Sequence, residues 1–205
     1  MPHRAVIAAW IAAFTSVALT AASASPTGSS AESPAAVGCF AAGGGYLRAR
    51  LRGALNMDLD WSNEDMECAG GPRPPGKTGS RGIRVSIGGP LRADGRRIRL
   101  LFGIADVGEG TNGETLKTNV TLLFEGEQRA FATQGDDKCT IDSLTQQRVE
   151  TLGTARAVYR VVARGFCLGP ATSLTREERA FLTSFDFAGR VEFDDDDRHA
   201  PREPS

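Results

Sequence analysis

A strict alternation of apolar and polar residues runs from Leu47 to Trp61 and is the clearest pattern in the chain. A period of two predicts a β-strand with one buried face, because successive side chains of a strand point to opposite sides. The phase is kept across Gly53, where we expect the strand to bend or to turn back into a second strand. The outward positions change from basic to acidic at this glycine and include Arg48, Arg50, Arg52, Asp58 and Asp60.

Further stretches carry strand signals, either the same alternation or a high content of β-branched and aromatic residues. Turns rich in glycine, proline and aspartate separate them, for example over 70–82 and 108–113. The helical signal is short: Thr175 and Glu178 have capping-box spacing and predict one or two helical turns. We therefore predict an all-β fold, an antiparallel β-sandwich or a barrel-like form of it, with at most one short helix. The additional predicted strands cover 83–87, 98–104, 118–124, 128–133, 158–167 and 181–193.

The N-terminus has the three parts of a secretory signal: a basic start at Arg4, an apolar run over 5–19 and small residues up to Ala24. The apolar run is shorter than the roughly 20 residues that a membrane span needs. It therefore predicts cleavage and no transmembrane segment in the mature chain. The predicted organisation is a signal peptide (1–24), a flexible segment (25–38), a single β-domain (39–193) and a disordered, charged tail (194–205).

A signal peptide predicts that the protein acts in the periplasm or the extracellular space. The string Ala36-Val37-Gly38-Cys39 resembles a lipobox only loosely, because Ala36 stands where a large aliphatic residue is preferred. Lipid anchoring at Cys39 is therefore the less favoured alternative.

All four cysteines lie in the predicted mature chain, and an even number in an exported protein indicates disulfides. Four cysteines allow three connectivities. The sequential connectivity is favoured because each of its pairs flanks a hairpin-sized stretch. It joins Cys39 to Cys68 and Cys139 to Cys167.

The charge of the predicted mature chain is nearly balanced. Loss of Arg4 takes the basic side chains from 24 to 23, against 25 acidic ones. This balance predicts no nucleic-acid partner and gives no reason to expect an anionic membrane surface as one.

Residues Gly71–Thr78 match the phosphate-binding loop G-x-x-x-x-G-K-[ST] at every fixed position. That loop holds phosphate with successive backbone N–H groups ahead of a helix. Here three of the four variable positions are prolines, which have no N–H. We expect a surface loop and no bound nucleotide.

The two histidines, His3 and His199, fall in the predicted signal peptide and tail. A domain without imidazole excludes Ser-His-Asp and Cys-His hydrolase schemes and histidine-ligated metals. The carboxylates that remain suggest two chemistries. The string Asp58-x-Asp60-x-Ser62 begins like a calcium loop, although Asn63 and Ala69 stand where the motif needs glycine and glutamate. Ca²⁺ is therefore the one cofactor considered, with Asp58, Asp60 and Asp65 as its candidate ligands. Asp58, Asp60 and Asp136 are the candidates for a carboxylate-based hydrolase.

Outward-facing arginines are the other candidate chemistry. If their strands are neighbours, they form a basic stripe that could receive an acidic glycan, a phosphate or the carboxylates of a partner. The alternative is that they only protect strand edges from aggregation. The binding candidates are Arg48, Arg50, Arg52, Arg97 and Arg99, with Arg84 also outward.

Three functions are consistent with these features. The favoured hypothesis is an exported, non-catalytic β-domain that binds a ligand or a partner in the cell envelope. The alternatives are a secreted carboxylate-based hydrolase and a calcium-stabilised structural module.

Overall fold

The computed structural model describes residues 38–74, 81–152 and 156–194, all within one compact unit, Pro34–Ser205. The predicted signal peptide, the segment up to residue 37 and the tail from residue 195 lie outside these ranges. The all-β prediction is confirmed, because the described residues form eleven antiparallel strands and one 3₁₀ turn, Asn63–Asp65. The strands are β1 (Tyr46–Gly53), β2 (Met57–Ser62), β3 (Glu67–Arg73), β4 (Gly82–Gly88), β5 (Arg97–Ala105), β6 (Leu116–Glu125), β7 (Arg129–Ala132), β8 (Cys139–Leu152), β9 (Arg156–Cys167), β10 (Ala171–Ser173) and β11 (Arg179–Asp194).

The strands form two hydrogen-bonded rows that face each other. One row runs β2-β1-β11-β9-β8, and the other runs β3-β4-β5-β6-β7. Two connections join the rows along one side: β8 pairs with β6, and β10 lies between β7 and β11. The fold is therefore a sandwich that is closed on this side by backbone hydrogen bonds.

Aromatic side chains from the two rows meet in the core. The ring of Phe102 on β5 lies 5.0 Å from the ring of Phe185 and 4.5 Å from that of Phe187, both on β11. All three residues are almost fully buried, and each such side chain contributes about 1.5–3 kcal/mol through burial. At Gly189, a Cβ would come within 2.6 Å of Val85 on β4, so only glycine lets β11 and β4 approach this closely.

The alternation over 47–61 is confirmed as a β-hairpin. Leu47 and Leu51 are fully buried, and the arginines between them are outward. Gly53 ends β1 with φ +94°, a backbone conformation that favours glycine, so the chain turns there instead of continuing.

Strand β3 departs from the expectation of a turn over 70–82. Gly70, Gly71 and Pro72 lie inside β3 and pair with β4. A Cβ at Gly70 would lie 2.5 Å from the carbonyl oxygen of Arg190 on β11, so glycine is needed for the two strands to pass in contact. The first part of the phosphate-loop-like string is thus strand, whereas its residues 75–78 lie outside the described ranges.

Two other expectations are corrected. The fourteen-residue strand β8 was not predicted, because it is polar and its register shifts after Ile141 and after Arg148, which breaks the alternation. The helix at Thr175 was predicted but does not form. Instead, the backbone N–H of Thr175 donates a hydrogen bond to the Ser173 hydroxyl at 3.4 Å, in the turn between β10 and β11.

The favoured disulfide connectivity is confirmed: Cys39 is bonded to Cys68, and Cys139 to Cys167. The second bond links directly opposed residues of β8 and β9. Lipid anchoring at Cys39 is contradicted, because its sulfur is bonded to Cys68 and is not available for acylation.

The buried side chain of Asn63 ties the 3₁₀ turn to the segment before β1. Its Oδ1 accepts hydrogen bonds from the N–H groups of Phe40 and Gly45, each at 3.0 Å. Its Nδ2 donates to the Phe40 carbonyl at 2.9 Å, and its own carbonyl accepts from the Cys39 N–H at 3.1 Å. One amide therefore satisfies several backbone groups that water cannot reach.

Asn63→Ala should lower the free energy of unfolding by about 3 kcal/mol, because it leaves two buried N–H groups without an acceptor. Urea denaturation with the disulfides intact measures the loss. Asn56→Ala, in the exposed turn after β1, is the matched control and should stay within about 0.5 kcal/mol of the wild type. Equal unfolding midpoints for the two variants would contradict this role of Asn63.

Candidate functional site

The arginines of β1 face acidic residues of β2 across the hairpin. We call Arg48, Arg50 and Arg52 the arginine row. Arg48 lies 3.5 Å from Asp60, Arg50 lies 3.9 Å from Asp58, and Arg52 lies 2.6 Å from Asp58. A surface groove of about 270 Å³ is lined by Arg48, Arg50, Asp58, Asp60 and Asp186 but not by Arg52. Because the pairs are largely exposed and mutually neutralised, they contribute little to stability and present little net charge.

Arg97 and Arg99 do not extend the arginine row, because β5 pairs with β4 and β6 and not with β1. They form a four-residue network with Glu67 of β3 and Glu125 of β6. Glu67 lies 2.5 Å from Arg97 and 2.9 Å from Arg99, and Glu125 contacts both guanidinium groups. The predicted single stripe is therefore two separate clusters, and this one joins three strands on the outer face of the second row.

The network changes the acidity of its carboxyl groups. Hydrogen bonds from Arg99 and then Arg97 lower the pKa of Glu125 against the opposing effect of burial. For Glu67, burial is the largest single influence and raises the pKa, but the hydrogen bonds from Arg99 and Arg97 together outweigh it and lower the pKa. Both carboxyl groups are thus held in the charged form.

The aspartates considered for calcium have other contacts. Asp58 and Asp60 lie on β2 opposite the arginine row, and the hydrogen bond from Arg52 lowers the pKa of Asp58. Asp65 accepts hydrogen bonds from the Ser62 hydroxyl at 2.6 Å and its N–H at 3.3 Å. Within the described ranges, no group of three or more acidic, cysteine or histidine side chains could hold a metal ion. Calcium binding stays a prediction.

Asp136, a candidate for hydrolase chemistry, lies in an ion pair away from Asp58 and Asp60. It contacts Arg73 at 2.9 Å and the Asn119 amide at 2.6 Å. These hydrogen bonds outweigh burial and lower its pKa. A general acid for glycoside hydrolysis needs a raised pKa, so this environment suits ion pairing better than proton donation.

Four turns meet at one end of the sandwich, which we call the hairpin end: residues 54–56, 89–96, 126–128 and 174–178. The first and last are joined because the Ala54 N–H donates to the Arg179 carbonyl at 2.9 Å. The Thr175 hydroxyl donates to the Gln128 carbonyl at 3.5 Å, and Glu127 pairs with Arg96 at 3.4 Å. Side chains from four sequence-distant hairpins are thereby gathered in one place.

A cavity of about 200 Å³ opens at the hairpin end, and we call it the arginine cavity. Its apolar wall comes from three strands and its polar wall from four arginines and one glutamate. The apolar residues are Met57, Ile98 and Phe124, and the charged residues are Arg92, Arg96, Arg97, Arg129 and Glu127.

The arginines of this cavity differ in how fully they are paired. Arg97 belongs to the four-residue network, and Arg96 pairs with Asp94 at 2.6 Å. Arg92 makes no ion pair with any described residue. Arg129 contacts Glu178 at 3.0 Å, but its Nε is buried without a hydrogen-bond partner. Among the arginines of the cavity wall, Arg92 is therefore the one without an ion pair to a described residue.

Two aromatic rings fix the position of Arg129. Its guanidinium carbon lies 5.2 Å from the ring centre of Phe124 and 5.1 Å from that of Phe131. Cation–π contacts and the pair with Glu178 hold the group in a defined orientation. Such preorganised guanidinium groups are well suited to carboxylate or phosphate oxygens.

Of the predicted binding residues, only Arg97 lines the arginine cavity. Arg92, Arg96 and Arg129 were not singled out from the sequence, because Arg92 and Arg96 lie in a predicted turn and Arg129 lies in a short strand. The signal that could have drawn attention to them is the recurrence of arginine beside successive turns.

No protein-family model, curated protein or solved structure matches this chain. In the described part of the chain, no helix has the length and apolar character required to cross a membrane.

Glu125→Gln should reduce stability at neutral pH by about 1 kcal/mol, because it removes the charge that Arg97 and Arg99 share. A lowered pKa in the folded state stabilises the protein above the unfolded value, about 4.3, and this contribution is lost as the pH falls through the folded-state pKa. The difference from wild type should therefore shrink below about pH 4.

Urea denaturation across this pH range makes the measurement. Glu114→Gln, at an exposed position without an ion pair to any described residue, is the control and should follow the wild-type pH dependence. A Glu125→Gln deficit that persists unchanged in acid would show that packing, and not charge, is responsible.

Proposed function

We propose that this protein is an exported, non-catalytic β-domain that binds a small anionic ligand in the arginine cavity. The observation that carries the proposal is the combination of Arg92, which has no ion pair with any described residue, and Arg129, whose buried Nε lacks a hydrogen-bond partner. A guanidinium on the cavity wall that no described carboxylate pairs with is a donor group for an anion, and Arg129 provides a second guanidinium in a fixed position beside it.

The cavity wall indicates the class of ligand. Guanidinium groups favour phosphate, sulfate or carboxylate, whereas Met57, Ile98 and Phe124 favour a short apolar portion beside the anion. A volume of about 200 Å³ suits the head of a small molecule better than a large cofactor. The ligand class is therefore a small amphiphile with one anionic group.

Export and lack of catalysis rest on separate observations. The two disulfides favour an oxidising compartment, in agreement with the predicted signal peptide. The carboxylates considered for hydrolysis are bound by arginines, and no histidine lies within the described ranges. These features support binding over turnover.

Octyl phosphate should bind the full-length protein, and octyl glucoside, which has the same apolar chain without the charge, should bind at least about tenfold more weakly. Isothermal titration calorimetry measures both. Arg92→Ala should weaken octyl phosphate binding by about tenfold, because it removes a guanidinium that makes no ion pair with any described carboxylate.

Arg148→Ala is the matched control, because Arg148 is exposed on β8 and does not line the arginine cavity. It should leave the affinity for octyl phosphate unchanged. Equal binding of the two octyl compounds, or equal losses in the two arginine variants, would refute the proposed site.

A further inference from the structure

We propose that the hairpin end docks on a bilayer surface rich in anionic lipids, and that lipid phosphate is the anion that the arginine cavity takes. This inference rests on the proposed function and names its ligand class. Docking on a bilayer requires exposed apolar side chains near the cavity, whereas the binding of a free small anion does not.

Exposed apolar residues are concentrated at this end. Leu91 is 65% exposed and Leu174 is 66% exposed, and both lie in turns of the hairpin end. Phe181, 40% exposed, follows the same turn as Leu174, so three of the five exposed large apolar side chains in the described ranges lie here. Leaving them in water is unfavourable, whereas the interface of a bilayer would cover them.

These apolar residues do not line the cavity, but hydrogen bonds and ion pairs link their turns to its wall. The turn that carries Leu91 also supplies Arg92 and Arg96 to the cavity wall. Arg96 reaches Glu127 of the next turn, and that turn contacts Thr175, one residue beyond Leu174. The two leucines thus come from turns on either side of the 126–128 turn.

The charge of the hairpin end differs from that of the whole chain. The formal net charge of the chain is −1, but arginines exceed carboxylates in the four turns and the residues next to them. Arg96, Arg97 and Arg129 are ion-paired, so the attraction to the negative surface of an anionic bilayer rests on arginines without an ion pair, chiefly Arg92. Such an arginine adds about 1 kcal/mol to binding at the surface. The arginines are Arg92, Arg96, Arg97, Arg129, Arg176 and Arg179, one more than the carboxylates Asp94, Glu125, Glu127, Glu177 and Glu178.

The arrangement fits a lipid surface better than a protein partner. Protein-binding surfaces bury aromatic or aliphatic anchors in a continuous patch with polar residues at its rim. Here Leu91 and Leu174 stand on separate turns with arginines between them. Separate apolar side chains can enter the acyl region while the arginines stay at the level of the phosphates.

Co-sedimentation with phosphatidylglycerol vesicles and with phosphatidylcholine vesicles tests the docking. Every sample is the full chain, so the N-terminal apolar run is common to all of them and cancels in the comparison of variants. The double variant Leu91→Glu with Leu174→Glu should lower partitioning onto phosphatidylglycerol vesicles by at least about tenfold. Arg92→Ala should lower it by about fivefold.

Leu168→Glu is the matched control, because Leu168 is 71% exposed but lies beside Lys138, outside the hairpin end. It should change partitioning by less than about twofold. Wild-type binding to phosphatidylglycerol should exceed binding to phosphatidylcholine and fall as salt is raised.

Equal effects of the double variant and the control, or equal binding to both lipids, would overturn the docking. Such a result together with normal octyl phosphate binding leaves the arginine cavity as a site for a free anion. Loss of both octyl phosphate binding and the Arg92→Ala effect on vesicles would instead refute the cavity itself.

Discussion

Pairing along strand β11 holds the two rows of the sandwich together. One edge of this sixteen-residue strand is bound by β1, while the other is shared by β10 at its start and β9 further on. Its inner face carries the phenylalanines that meet Phe102, and Gly189 lets Val85 come close. A break in the pairing of β11 would disturb both rows and the core at once, because this strand pairs with β1, β9 and β10 and its phenylalanines contact Phe102.

Arginine serves three different purposes on this one scaffold. In the arginine row, arginines of β1 face aspartates of β2 across the hairpin, so this part of the surface is nearly neutral. In the network with Glu67 and Glu125 it joins strands of the second row. At the hairpin end Arg92 makes no ion pair with any described residue, and the Nε of Arg129 is buried without a hydrogen-bond partner, as is Nη1 of Arg73 elsewhere in the fold. The three clusters therefore differ in how far carboxylates neutralise their arginines.

Much of the fold could be predicted from the sequence, because strands with one buried face show regular alternation, as from Leu47 to Trp61. The disulfide pairs were also predicted correctly. The strand β3 was missed because Gly70 and Pro72 are typical of turns, and their strand conformation depends on contact with β11. The arginine cavity could not be predicted, since its residues come from different hairpins that meet only in the folded protein. Thr175 shows the reverse case, in which tertiary contacts override a local helix signal.

The hydrogen bonds of Asn63 have a consequence for oxidative folding. Its carbonyl accepts from the N–H of Cys39 and from the N–H of Met66, which lies two residues before Cys68. In the folded chain, backbone contacts to this single residue hold the segments that carry Cys39 and Cys68 next to each other. Because these hydrogen bonds do not involve the sulfur atoms, they favour the native partner over the two cysteines that lie far along the chain whenever the bond is broken and re-formed.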